Sequence, residues 1–160
     1  MKPSRKMIPS RRMIQEEAYK ILKEGTFGVL SMSTKDGTPY GVPLNYFYAP
    51  EENAIFFHCL IKGKKLEYLK ENNRASFVII SNEKIIPERF TTHYESVILT
   101  GKAHLITDSE EKRKRLIQLC QALTPESIER RDEVIEKKLV AVTIVKIEID
   151  EITGKRNRGI

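Results

Sequence analysis

The stretch 56–69, FFHCLIKGKKLEYL, carries the residue types for phosphate and proton chemistry in one short run. His58 stands at the end of an apolar run that reads as a strand. Gly63 follows, then Lys64 and Lys65, and there a helical pattern begins. Amide groups at a helix start point outward, and the helix dipole favours an anion there. Two ammonium groups add charge, so this segment can hold a phosphorylated ligand next to a histidine. The bland alternative is a solvated lysine pair on an exposed helix beside a hydrogen-bonded strand-end histidine.

Other features bound the function. The 160 residues suit one domain with a real core, and 40% apolar with 31% charged residues is ordinary for a soluble globular protein. No apolar run approaches the roughly 20 residues that span a bilayer. The basic start MKPSRKMIPSRRM has no apolar signal core after it, so no secretory signal is expected. Cys59 and Cys120 form neither a metal spacing nor a disulfide framework, which fits a reducing, cytoplasmic setting. His58, His93 and His104 are scattered among unrelated neighbours, so no metal site is expected.

The net charge of +6 resides in the ends of the chain. Residues 1–12 hold Lys2, Arg5, Lys6, Arg11 and Arg12 without an acid; residues 155–160 hold Lys155, Arg156 and Arg158 without an acid. The body between them has 20 basic and 22 acidic groups. Basic tails can touch nucleic acid nonspecifically, but the body has no nucleic-acid-binding signature, so none is assigned as a partner.

Periodicity supplies the scaffold. Ile14, Ala18, Ile21 and Leu22 predict a helix over 13–24, with Ser10 as a cap and Gly25 as its stop. Strands are expected at 26–34 and 40–48 across the Asp36-Gly37 turn, then at 54–60, 74–80, 94–106 and 139–149. Gly101 reads as a bulge. Helices are expected at 64–71, 110–123 (capped by Asp108 or Ser109) and, more weakly, 125–137. In the last strand, Ala141, Thr143, Val145, Ile147 and Ile149 read as the inward set, with 140–144 able to bury both faces. Six strands joined mostly by hairpins predict a mainly β fold, an antiparallel barrel with flanking helices.

The segments GTFGVLSMSTKDGTPYGVPLNYFY, AIFFHCLIKGKKLEYLKENNRASFVI, HYESVILTGKAHLI and IEIDEITGKR stand in an order that resembles the flavin-binding split-barrel proteins related to pyridoxamine 5′-phosphate oxidase. Within these, the chain is similar to the nitroimidazole-resistance branch. The resemblance implies a six-stranded antiparallel split barrel over 13–154, between basic tails at 1–12 and 155–160. It implies a homodimer with flavin mononucleotide (FMN) in each of two grooves at the subunit interface. It implies Lys64 and Lys65 as phosphate grips, with Ser96 reaching the phosphate end. Pro43, Leu44 and Asn45 would lie along the isoalloxazine edge, and His58 would be the active-site histidine. Lys155 and Arg156 match a C-terminal segment that closes over the ligand.

Chemistry fits these positions. Pro43 inside a strand means an edge or a broken ladder, which frees amide groups to bond a ring and tune its reduction; it is equally an edge proline that blocks aggregation. Neutral imidazole at His58 titrates near working pH and can pass a proton to a substrate reduced by hydride. Cys59 then points to the opposite face, into the core. Tyr46, Phe47, Tyr48, Phe56 and Phe57 read as core and interface, and Glu95 as exposed or in an interface ion pair. The implied activity is reduction or oxidation of a small molecule such as a nitro-aromatic compound. Pyridoxamine or pyridoxine 5′-phosphate oxidation, and flavin or haem binding without turnover, are the alternatives.

Overall fold

The structure, a computed structural model, describes residues 9–159, so most of the basic segment expected at 1–12 lies outside the described residues, as does Ile160. The chain runs α1 (Gln15–Glu24), β1 (Phe27–Ser33), β2 (Pro39–Asn45), β3 (Phe47–Ala49), β4 (Ala54–Leu60), α2 (Lys64–Glu71), β5 (Arg74–Ile86), β6 (Thr91–Ile106), α3 (Ser109–Leu123), α4 (Arg131–Lys138) and β7 (Val142–Asn157). All pairings are antiparallel, in the order β2-β1-β5-β6-β7-β4-β3.

The sheet has seven strands, not the six expected. The run 40–48 is continuous in sequence but breaks at Tyr46, between β2 and β3. Tyr46 is fully buried, its hydroxyl donates to the Leu22 carbonyl at 2.6 Å, and its amide donates to the Thr26 carbonyl. These bonds turn the chain out of one ladder and into another. Because β2 and β3 are the two edges of the sheet and only Tyr46 joins them, the sheet must curl back on itself into a half-barrel.

The alternation of strand residues then makes two layers. Leu30, Phe57, Phe77, Leu99, Val145 and Ile147 fill the inside of the curl, closed by Ala18 and Leu22 of α1 and Leu66 and Leu69 of α2. Outside β4 and β7, Phe47, Phe56 and Ile144 pack under Leu116, Leu119 and Ile135 of α3 and α4. The doubly buried stretch expected at 140–144 is Val142–Val145 instead, since β7 begins only at Val142 and separates the layers there, whereas Val140 is exposed in the turn before it. Gly101 forms the expected bulge; a Cβ there would lie 2.0 Å from the Glu148 carbonyl oxygen.

Smaller expectations need correction. Ser10 lies in a short 3-10 turn, and α1 starts after Ile14 with no side-chain cap. Asp108 does cap α3, accepting from the Glu111 amide at 2.9 Å. The helix expected at 125–137 is confined to α4. Strands β5, β6 and β7 outrun their expected lengths because they pair with one another past the sheet body, and β7 carries Lys155 and Arg156 within its ladder.

Candidate functional site

The loop from β4 to α2 is built as the sequence suggested. Gly63 precedes α2 at φ +150, a conformation that favours glycine. Its carbonyl accepts from the Leu66 and Glu67 amides at 3.1 and 3.2 Å, and a Cβ on it would meet nothing within 4 Å. The amides of Lys64 and Lys65 thus head α2 beside open space. Neither ammonium forms an ion pair among the described residues. The Lys64 ammonium sits 4.6 Å from the centre of the Tyr40 ring and 5.8 Å from that of Tyr68.

His58 lies on β4 opposite Ile144, on the same face as Phe56, with part of its ring exposed. Burial of the rest of the ring, followed by the positive charges of Lys138 and Lys65, lowers its pKa below the ordinary histidine value of 6.5. The imidazole is therefore neutral at neutral pH. Cys59 turns inward, as expected, and burial raises its thiol pKa.

Pro43, Leu44 and Asn45 lie on β2, an edge strand, which satisfies the proline. Their side chains part ways. Pro43 and Asn45 face outward, and the Asn45 amide donates to the Thr26 carbonyl at 3.0 Å. Leu44 packs against the inner core, leaving only its backbone for a ligand.

Pro43 belongs to a continuous outer row. It pairs with Val29, Val29 with Val78, Val78 with Ile98, and Ile98 with Thr153. Along the same face, Phe27 pairs with Asn45, and Ile80 pairs with Ser96, which pairs with Lys155. This face is apolar and bare: Phe27 and Ile80 are each 63% exposed, Val29 42% and Ile98 38%. The Lys155 ammonium rests 5.7 Å from the centre of the Tyr94 ring.

One protomer does not unite the expected site. The row through Tyr40, under Lys64, crosses β6 at Gly101, five residues from Ser96 and so about 17 Å along the strand. The row through His58 crosses β6 at Ile106, ten residues from Ser96, or about 33 Å along it. Tyr40 also packs toward the inner core, whereas Ser96 lies on the outer face. Lys64 and Ser96 of one chain cannot grip one phosphate.

Arg156 is engaged elsewhere. Its guanidinium donates to Glu17 at 2.6 Å, which holds the Glu17 carboxyl below its usual range. Beside it is a group that the sequence did not reveal. Glu95, 6% exposed rather than at the surface, accepts from Arg158 and, at 2.7 Å, from Asn82; the Arg158 bond is the main cause of its lowered pKa. Glu17, Glu95, Arg156 and Arg158 line a cavity of about 260 Å³ between α1 and the end of β7. The meeting of α1 and β6 with the end of β7 brings them together, so spacing gave no signal.

Comparisons with known proteins fit this architecture. A pyridoxamine 5′-phosphate oxidase family model matches residues 15–156. The chain belongs to this family. No curated protein matches it. Among solved structures, a candidate 5-nitroimidazole antibiotic resistance protein of Bacteroides thetaiotaomicron is 24% identical, with a TM-score of 0.75 over 91% of this chain and 86% of that one. A conserved hypothetical protein of Mycobacterium tuberculosis gives 0.79 at 16% identity, over 96% and 91%. An FAD and heme binding protein of Mycobacterium smegmatis gives 0.76 at 19% identity, over 93% and 74%. At these identities the likeness is one of fold.

Proposed function

We propose that this family member is a cytoplasmic FMN-binding oxidoreductase that works as a homodimer and reduces small molecules such as nitro-aromatic compounds. The observation that carries the reading is the division of the expected site within one protomer. Lys64 and Lys65 have no ion-pair partner among the described residues, while Ser96 and Lys155 lie on a distant apolar face. A second copy set against that face would bring the Ser96–Lys155 row of one chain toward the Lys64–Lys65 corner of the other. The family is flavin-binding, and structures sharing the fold include a flavocytochrome and two FAD-binding proteins.

The residues present suit such a cofactor. A flavin phosphate is a near-dianion, and the α2 start offers two ammonium groups, two free-facing amides and a glycine without a side chain in the way. Pro43 and the edge backbone of β2 suit the ring. A bound flavin would supply the electrons for reduction of the substrate. His58 would supply a proton; with its pKa lowered, an imidazolium formed there releases its proton readily. Lys155 would close the phosphate end, whereas Arg156 must first leave Glu17 to take part.

The test is a titration with FMN read by visible absorbance and flavin fluorescence. Saturable binding is expected, and Lys64→Ala with Lys65→Ala should weaken it by about 3 kcal/mol or more, at roughly 1.5–3 kcal/mol per charged hydrogen bond. Unchanged affinity in that variant would move the phosphate elsewhere. The family model itself favours a second reading, oxidation of pyridoxamine 5′-phosphate. Turnover of that substrate, and none of a nitro-aromatic compound, would select it.

A further inference from the structure

A second feature borders His58, at the end of β4 and in the loop that follows it. The loop after β4 and the turn before β7 are tied together: the Ile61 amide donates to the Ala141 carbonyl at 3.1 Å. The same turn is pinned from beneath by Lys112, 7% exposed, whose ammonium donates to the Leu139 carbonyl at 2.5 Å and the Val142 carbonyl at 3.0 Å. Burying an ammonium costs free energy unless its bonds are made, so this corner is firmly held.

What the held backbone presents is apolar. Val140 is 81% exposed, Leu60 66% and Ile61 47%. Leu60 lies on the His58 face of β4, opposite Val142, so the imidazole borders this patch. Beside it stand Lys62, in the loop, and Lys138, at the end of α4; neither forms an ion pair among the described residues. Lys138 is close enough to His58 to oppose its protonation. Its neighbour Lys137, by contrast, is neutralised by Glu133 at 2.5 Å. A cation ending a helix is favoured by the dipole in any case. That preference does not account for three bare aliphatic side chains beside it on a rigid turn.

We infer that this corner is the substrate seat: a small organic anion lays its apolar body on Leu60, Ile61 and Val140, and places its carboxylate on Lys138, next to His58. The inference deepens the flavin reading, on which it rests for His58's role, by naming the charge of the substrate. It makes Lys138 a specificity residue that separates a carboxylate from a neutral molecule of the same shape.

The test is calorimetric titration of the purified full chain with 4-nitrobenzoate and with its neutral twin, 4-nitrobenzamide, with and without FMN. The acid should bind about tenfold more tightly, as expected for one charge-assisted contact at a partly exposed site. Lys138→Gln should remove that preference while leaving FMN affinity and the melting midpoint unchanged, which a merely structural lysine would not do. Val140→Ser should weaken both ligands equally. Equal affinities in the native chain, no binding of either, or a preference that survives Lys138→Gln would overturn the inference. A chain that discriminates the two ligands yet takes up no FMN would support the anion seat and sink the flavin reading.

Discussion

The two halves of one sheet treat their outer face in opposite ways. Over Phe56 of β4 and Ile144 of β7 the face is roofed by α3 and α4, and the charge beneath that roof is consumed inside the chain. Arg115, 3% exposed, pairs with Glu52 and Glu111, both at 2.7 Å, and stacks 4.1 Å from the Phe56 ring centre. Over β1, β5 and β6 no described residue roofs the same face, and Phe27, Val29, Ile80 and Ile98 are exposed. On the proposed reading, the half without a roof is where a second copy docks. A second copy fits, because it would also supply the missing end of the phosphate site.

Breaking the roofed half should have the largest effect. Arg115→Ala leaves Glu52 and Glu111 without their buried partner and opens a hole over Phe56. A loss of about 3–5 kcal/mol is expected in chemical denaturation. Ile98→Glu in the bare half should do the reverse: folding stability within about 0.5 kcal/mol of the native chain, as for a surface position, but a dimer converted to monomer in sedimentation. If the Ile98→Glu variant stays dimeric, the bare face is not the interface.

The smallest effect concerns His58. Its pKa is lower in the folded chain than the ordinary 6.5, so in the window just below 6.5 the unfolded chain binds a proton that the folded chain does not. Stability from this group is full above that window and falls as the pH drops through it. His58→Gln should flatten the slope there without changing stability at neutral pH. A slope identical to the native one would show that the imidazole is not held neutral by its surroundings.

The same contrast explains what could be read from the sequence. The start of α2 was legible because Gly63 and the residues after it act locally. The break at Tyr46 was not, because YGVPLNYFY is a continuous apolar run; a hydrogen bond to Leu22, far away in sequence, makes the corner. The length of β7 was hidden for a similar reason. TGKRN reads as a polar tail, and only its ladder with β6 makes it a strand. Glu95 read as exposed or in an interface ion pair, whereas Arg158 and Asn82 of its own chain meet over it. For the site, the residue types were visible, but not the distance that one protomer keeps between Lys64 and Ser96.

Sedimentation velocity of the FMN-loaded chain, followed at once by protein and by flavin absorbance, tests the central claim most directly. Flavin and protein should move together as two 18.5 kDa chains, and the flavin should be released when Ile98→Glu parts them. Flavin travelling with a single 18.5 kDa chain would contradict a site shared between two copies.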